Sequence, residues 1–151
     1  LDSQFAAVMM SIQSVKGVEI GDGFESARRP GSQAHDEIVR ENGRVHRVTN
    51  RAGGIEGGMS NGEPIRIRVA FKPISTVPRA LRTIDTKTGE PTTALHQRSD
   101  TTAVVPGAVV AEAMASLVIA DALTEKFGGD SIEQMRASLG SYIAAIPEVR
   151  R

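Results

Sequence analysis

Apolar residues return at Leu1, Phe5, Val8, Met9, Ile12 and Val15, at intervals of three and four. That spacing lines one face of a helix over residues 1–16, and Gly17 stands where a helix-closing glycine belongs. Residues 17–21 then read as a short strand. Residues 22–35, rich in Gly, Ser, Arg and Pro, read as a loop. In residues 36–49, Ile38 and Val39 on one side and Val45 to Val48 on the other flank Glu41, Asn42 and Gly43. Asn-Gly between two such runs is a strong hairpin signal, because both residues accept positive φ.

The segment 50–62 has no period and reads as loop. Ile65, Ile67, Val69 and Phe71 then alternate with Arg66, Arg68, Ala70 and Lys72. This predicts a strand with one apolar face and one basic, solvated face. Residues 81–97 predict a second hairpin around Thr86, Lys87, Thr88 and Gly89. Residues 106–127 carry the strongest helical pattern, with Pro106 in the first turn and Val110, Ala113, Met114, Leu117 and Val118 as the buried stripe. Gly128 and Gly129 stop it. Asp130 is the expected cap of a last helix, with Glu133 as its capping-box partner. That helix is expected to bury Ile132, Met135, Leu139, Ile143 and Ile146. Hairpins set between helices favour an α+β fold of antiparallel sheets with helices packed outside over a doubly wound parallel sheet.

A chain of 151 residues is long enough for one domain with a core. Aromatic residues are only 3%, so that core must be aliphatic and alanine-rich. Lys plus Arg equals Asp plus Glu at 18 each, which leaves no net field to attract nucleic acid or a membrane surface. Cysteine is absent, which removes disulfides and thiolate chemistry and fits a reducing cytoplasm. No apolar run approaches the roughly 20 residues of a membrane span. The first residue is Leu1, in an already helical pattern with no leader, and the chain reads as cut from a longer polypeptide.

Three stretches could carry chemistry. Arg98, Ser99 and Asp100 put a cation and a carboxylate two residues apart, just before the long helix. Arg98 could hold an anion by a two-pronged contact, and Asp100 could move a proton. Taken alone, the pair reads as a surface ion pair. Five of the 15 glycines lie at 53, 54, 57, 58 and 62, where bare amides could cradle an anion. The spacing matches no phosphate loop or dinucleotide fingerprint, and a flexible loop explains it equally well. Lys72, Pro73, Ile74, Ser75 and Thr76 offer a charge and two hydroxyls at a strand exit, suited to a phosphate. His35, His46 and His96 lack metal-ligand spacing and read as structural, so no metal is expected. No nucleophile elbow appears, so a hydrolase has no support.

Taken in order, Leu1 to Ser3, Val15 to Gly23, Asn50 to Gly62, Lys72 to Thr76 and Arg98 to Met114 form five blocks that resemble chorismate synthase from end to end. The last block resembles the family's C-terminal signature, with Thr101 as its one departure. The resemblance implies a phosphate lyase of the shikimate pathway, the route to the aromatic amino acids. It makes chorismate from 5-enolpyruvylshikimate 3-phosphate, with reduced FMN lending electron density as phosphate leaves. It implies flavin contacts at Gln13 and Ser14, where the family often has Asn-Ala, then Gly57, Lys72, Pro73, Ile74, Ser75, Thr76 and Arg98. Arg98 would also neutralise the substrate's charge, and Asp100 would assist proton handling at flavin N5. It implies a cytoplasmic homotetramer built on a sandwich of antiparallel sheets with helices outside, of which this chain supplies half. The family's N-terminal motifs, an acid histidine and a Ser-Ala-Arg, do not occur; Ser26, Ala27 and Arg28 spell the tripeptide in the wrong block. Residues 1–151 are therefore expected to be the C-terminal part of such an enzyme and inactive alone. The alternative is a non-catalytic scaffold, or an oligomerisation module, that binds an anion or a flavin.

Overall fold

In the computed structural model, the structure describes residues 1–95 and 101–147. Helix α1 (Asp2–Ser11) leads into strand β1 (Val15–Ile20), so the helix is shorter than its apolar pattern predicts and Gly17 does not close it. Ile12 is already extended, Ser14 takes φ 72°, and Gly17 sits in the strand opposite Ala70. The three-residue step from Ile12 to Val15 suits a helix, but Val15 is buried from the strand. Pairing with a distant strand outweighs one more helical turn.

Residues 22–35 are more ordered than a loop. A 3-10 helix (Gly23–Arg28) is followed by the single-turn helix α2 (Gly31–Ala34). The first hairpin is found as expected, with β2 (Ile38–Glu41) against β3 (Arg44–Arg47) and positive φ at both Asn42 and Gly43. The segment 50–62 holds an unforeseen hairpin of two-residue strands, β4 (Ile55–Glu56) and β5 (Met59–Ser60), turning on Gly57 and Gly58. Strand β6 (Ile67–Phe71) returns to β1, pairing Ile20 with Ile67 and Val15 with Phe71, with a bulge between Val15 and Gly17. Strands β7 (Arg82–Ile84) and β8 (Pro91–Thr93) form the second expected hairpin. Every described strand pair is antiparallel.

Helix α3 (Val104–Phe127) starts two residues before its pattern, and Gly128 caps it as expected. Its inward stripe is Gly107, Ala111, Ala115 and Val118, whereas Val110, Ala113 and Leu117 of the predicted stripe are exposed. The helix is apolar nearly all round, so periodicity alone chooses no face. Small residues let it approach α1 and β6 closely. Contrary to the expectation that no apolar run approaches a membrane span, α3 is long and apolar enough by length and composition to cross a bilayer, since Glu112 and Asp121 interrupt it without lowering its average much. Within this chain it packs on α1, and Val118 joins Phe5 and Ile55 in the core.

Helix α4 (Ile132–Ala145) is capped one residue later than expected. The Ser131 hydroxyl accepts from the Gln134 amide, and the Gln134 side chain accepts from the Asp130 amide. None of its described residues is buried, and Ile132 and Ile143 face outward. Tyr142, edge-on to Phe127 at 5.4 Å and with the Lys126 ammonium 3.9 Å above its ring, ties it to α3.

Candidate functional site

The bulge that starts β1 brings two sequence-distant candidates together. Ser14, in its left-handed conformation, turns its carbonyl to accept the Lys72 amide at 2.8 Å. Gln13 and Ser14 thus lie beside the point where residues 72–76 leave β6. Among the described residues, the side chains of Lys72, Ser75 and Thr76 have no hydrogen-bond or ionic partner; Lys72 and Ser75 are exposed. The first turn of α3 closes over the same point. A Cβ on Gly107 would fall 2.4 Å from the Phe71 ring, so glycine lets the helix sit directly on the strand end. The resulting cleft, about 610 Å³, is lined by Gln13, Ser14, Phe71, Ala103, Pro106 and Gly107 among others. Its floor is apolar, and Lys72 supplies a cation at the adjoining strand exit.

Gly57 is not brought to this cleft. Its neighbour Gly58 accepts from the Leu1 amine at 2.8 Å, at the opposite end of α1 from Ser14. Ten helical residues, about 15 Å of rise, separate those ends. Gly57 has φ 58° and open space where a Cβ would stand. Gly53 and Gly54 differ from it, since a Cβ on either would strike backbone of residues 21 or 63–64. The glycine density therefore serves two purposes: chain crossing at 53–54 and an open turn at 57–58. Arg98 and Asp100, with His96, lie outside the described residues.

Several groups that the sequence did not flag hold the glycine segment in place. Asp36 accepts from the Thr49 hydroxyl, the Arg51 amide at 2.7 Å and the Ala52 amide at 2.9 Å. Burial pushes its carboxyl up, but the Thr49, Ala52 and Arg51 hydrogen bonds and the Arg51 charge outweigh burial and hold it below its usual range. The Asn50 side chain accepts from Gly54 and donates to the Pro64 carbonyl. The basic face of β6 is not simply solvated: Arg66 pairs with Asp22, and Arg68 with Glu19 at 2.8 Å. Asp22 also binds Arg29, and that hydrogen bond, with Arg66 behind it, keeps the Asp22 carboxyl low against the burial that opposes it. Asp36 is an ordinary surface residue type that only its partners reveal; Asn50 opens one of the resembling blocks, but its bonds to Gly54 and Pro64 leave no mark in the sequence. His46 lies 3.7 Å from Glu41 in the exposed first hairpin, and among the described residues no cluster of three His, Asp or Glu side chains could hold a metal.

An exposed ammonium, two free hydroxyls and an adjoining apolar cleft suit an anionic group carried on an apolar body. Comparisons with known proteins give the family. The family model for chorismate synthase matches residues 1–124. The chorismate synthase of Beutenbergia cavernae is 63% identical over 152 residues, covering 100% of this chain and 38% of that protein. That of Kocuria rhizophila is 60% identical over 151 residues, covering 100% of this chain and 36% of that protein. A solved structure titled "Crystal Structure of Chorismate Synthase" superposes with a TM-score of 0.73 at 44% identity, over 95% of this chain and 35% of that one. The chain thus spans little more than a third of the length of the relatives it matches.

Proposed function

The chain belongs to the chorismate synthase family, and on that premise we propose that it is the C-terminal part of an enzyme that eliminates phosphate from 5-enolpyruvylshikimate 3-phosphate to give chorismate. Reduced FMN, when bound, supplies electron density while the phosphate leaves. The observation that carries the reading is the hydrogen bond between Lys72 and Ser14 beneath the first turn of α3. It joins Ser14, at the α1 exit, to two blocks of the family resemblance at one cleft: the strand exit 72–76 and the start of the long helix.

In this proposal Lys72, with the Ser75 and Thr76 hydroxyls, holds the cofactor's phosphate. Gln13, Ser14, Pro73 and Ile74 bound its other faces from backbone and apolar surface. Gly57 lies at the other end of α1 from this cleft and is assigned to the cofactor by the family resemblance alone; its open, positive-φ turn leaves room for close backbone approach by the far end of an extended cofactor. Arg98 binds the substrate's anionic groups, and Asp100 accepts and returns a proton through its carboxylate. The apolar lining of Phe71 and Pro106 excludes water and strengthens each charge contact. The intact enzyme is proposed to work in the cytoplasm as a homotetramer, its N-terminal half supplying the remaining acid and the other cationic groups. The 151-residue chain alone is inactive.

The test uses a full-length polypeptide carrying these residues, incubated anaerobically with reduced FMN and 5-enolpyruvylshikimate 3-phosphate, with chorismate followed by absorbance. The expected result is steady chorismate formation that falls at least about 100-fold in Asp100→Ala, the usual range for loss of a proton-transfer group. An unaffected variant would remove Asp100 from the chemistry. A full-length protein that makes no chorismate would leave an anion-binding scaffold as the better reading.

A further inference from the structure

We infer that Arg47 is a positioning residue for the Gly57 turn, gripping both sides of that turn so that its backbone meets the flavin in one fixed shape; the inference rests on the flavin reading above. The turn cannot hold itself, because β4 and β5 are joined by only two residue pairs, Ile55 with Ser60 and Glu56 with Met59. Its shape must come from ties outside the hairpin. On the inner side Ile55 is anchored in the core, and the Gly58 carbonyl accepts from Leu1 at 2.8 Å. On the outer side Arg47 does the tying. One guanidinium nitrogen donates to the Glu56 carboxylate, directly before Gly57, and another donates to the Asn61 carbonyl at 3.3 Å, just past β5. The Asn61 side chain donates to the same Glu56 oxygen at 2.9 Å, which closes a ring of contacts around the turn. The Arg47 amide adds a long contact of 3.4 Å to Glu63.

Two further observations separate Arg47 from an ordinary surface arginine. Its side chain is only 18% exposed, and its Nε is buried without a partner among the described residues. A solvated arginine would turn that donor to water, so this geometry is set by the two contacts at its tip. The pair also leaves the Glu56 charge compensated beside a turn proposed to face an anionic cofactor; an unpaired carboxylate there would repel it. Lysine offers one point of charge where this geometry uses a fork, so it would not replace arginine.

The experiment uses the full-length polypeptide, with reduced FMN titrated anaerobically and binding read by the change in flavin fluorescence. Glu56→Ala removes the tie from a partly exposed side chain with little risk to folding, and Glu56→Gln keeps an acceptor oxygen for Arg47 and Asn61. Loss of one charged hydrogen bond corresponds to about a tenfold rise in Kd or more. That rise is expected in Arg47→Ala, Arg47→Lys and Glu56→Ala, with Glu56→Gln restoring affinity to within about threefold and kcat at saturating flavin nearly unchanged. Flavin affinity unchanged in Glu56→Ala, or lost equally in Glu56→Gln, would overturn the inference while leaving the flavin reading intact. A wild-type polypeptide that binds no reduced FMN would overturn both.

Discussion

Asp36 shows how one side chain can set the path of a segment it does not belong to. It holds one hydroxyl and two backbone amides at residues 49–52, and these hydrogen bonds outweigh burial and keep its carboxyl below the usual carboxylate range. A carboxylate with a depressed folded pKa contributes stability in full above its unfolded pKa. That contribution shrinks as pH falls toward the folded value and is gone below it. Asp36→Ala is therefore expected to cost about 2 kcal/mol at neutral pH, the scale of a charged hydrogen bond lost with its partners left unpaired. The gap between the two proteins should hold constant down to about pH 4 and narrow only below it. Urea unfolding of both proteins at neutral pH and through the acid range checks this; a gap that closes between pH 6 and 5 would point to a different group. Little of this was legible in the sequence, because the amides Asp36 binds belong to every residue type and so leave no mark. Arg66 could be read as a basic position, but not its partner Asp22, 44 residues away. Lys72 and the glycine run stood out as candidates because a strand-ending lysine and an aperiodic glycine run are conspicuous in a short chain, and their place in the site stays a proposal.

Elements were legible where local chemistry alone decides them. Asn42 and Gly43 force a tight turn whatever surrounds them, and the hairpin lies where they put it. The end of α1 was misplaced because β1 pairs with β6, some fifty residues on, and no local signal at Val15 records that partner. The α3 stripe was rotated because alanines and valines line every side of the helix, and the face is chosen by what fits against Phe71. Gly107 provides that fit, which makes a specific contrast between two helical glycines. Gly107→Ala would put a methyl 2.4 Å from the Phe71 ring, an overpacking expected to cost about 1–3 kcal/mol. Gly140→Ala in α4 meets nothing within 4 Å and is expected to stabilise by about 0.5–1 kcal/mol through helix propensity. Thermal unfolding should move the two variants in opposite directions. Phe71→Leu placed on Gly107→Ala should recover part of the loss, because the two residues share one contact. Equal effects at both glycines would mean that α3 does not rest on β6 through Gly107.

On the scale of the whole molecule, surface is the informative quantity. A compact monomer of 16.0 kDa is expected to expose roughly 7,400 Å², whereas this chain exposes 11363 Å². The excess is as large as an obligate interface. Much of it is apolar: Val104, Val105, Val109 and Leu117 on α3, and Ile132, Tyr142 and Ile143 on α4. Against this, Phe5, Met9, Val15, Ile55, Val118 and Phe127 are the buried apolar side chains among the described residues. Patches of this extent mark surfaces that are covered in the working protein, which agrees with the proposal that an N-terminal half packs here. The isolated 151-residue chain should therefore self-associate, with a light-scattering mass above 16.0 kDa that rises with concentration. Val109→Gln with Leu117→Gln should lower that mass without lowering the unfolding midpoint, because both side chains already face water in this chain. Val118→Ala should do the reverse, costing about 1–3 kcal/mol from a buried methyl pair while leaving association in place. In a full-length polypeptide the order should invert, with the paired glutamine changes becoming the destabilising ones as the same face turns from surface into core. A clean monomer at high concentration would show that the exposed face of α3 needs no cover, and would count against assigning it to a missing half.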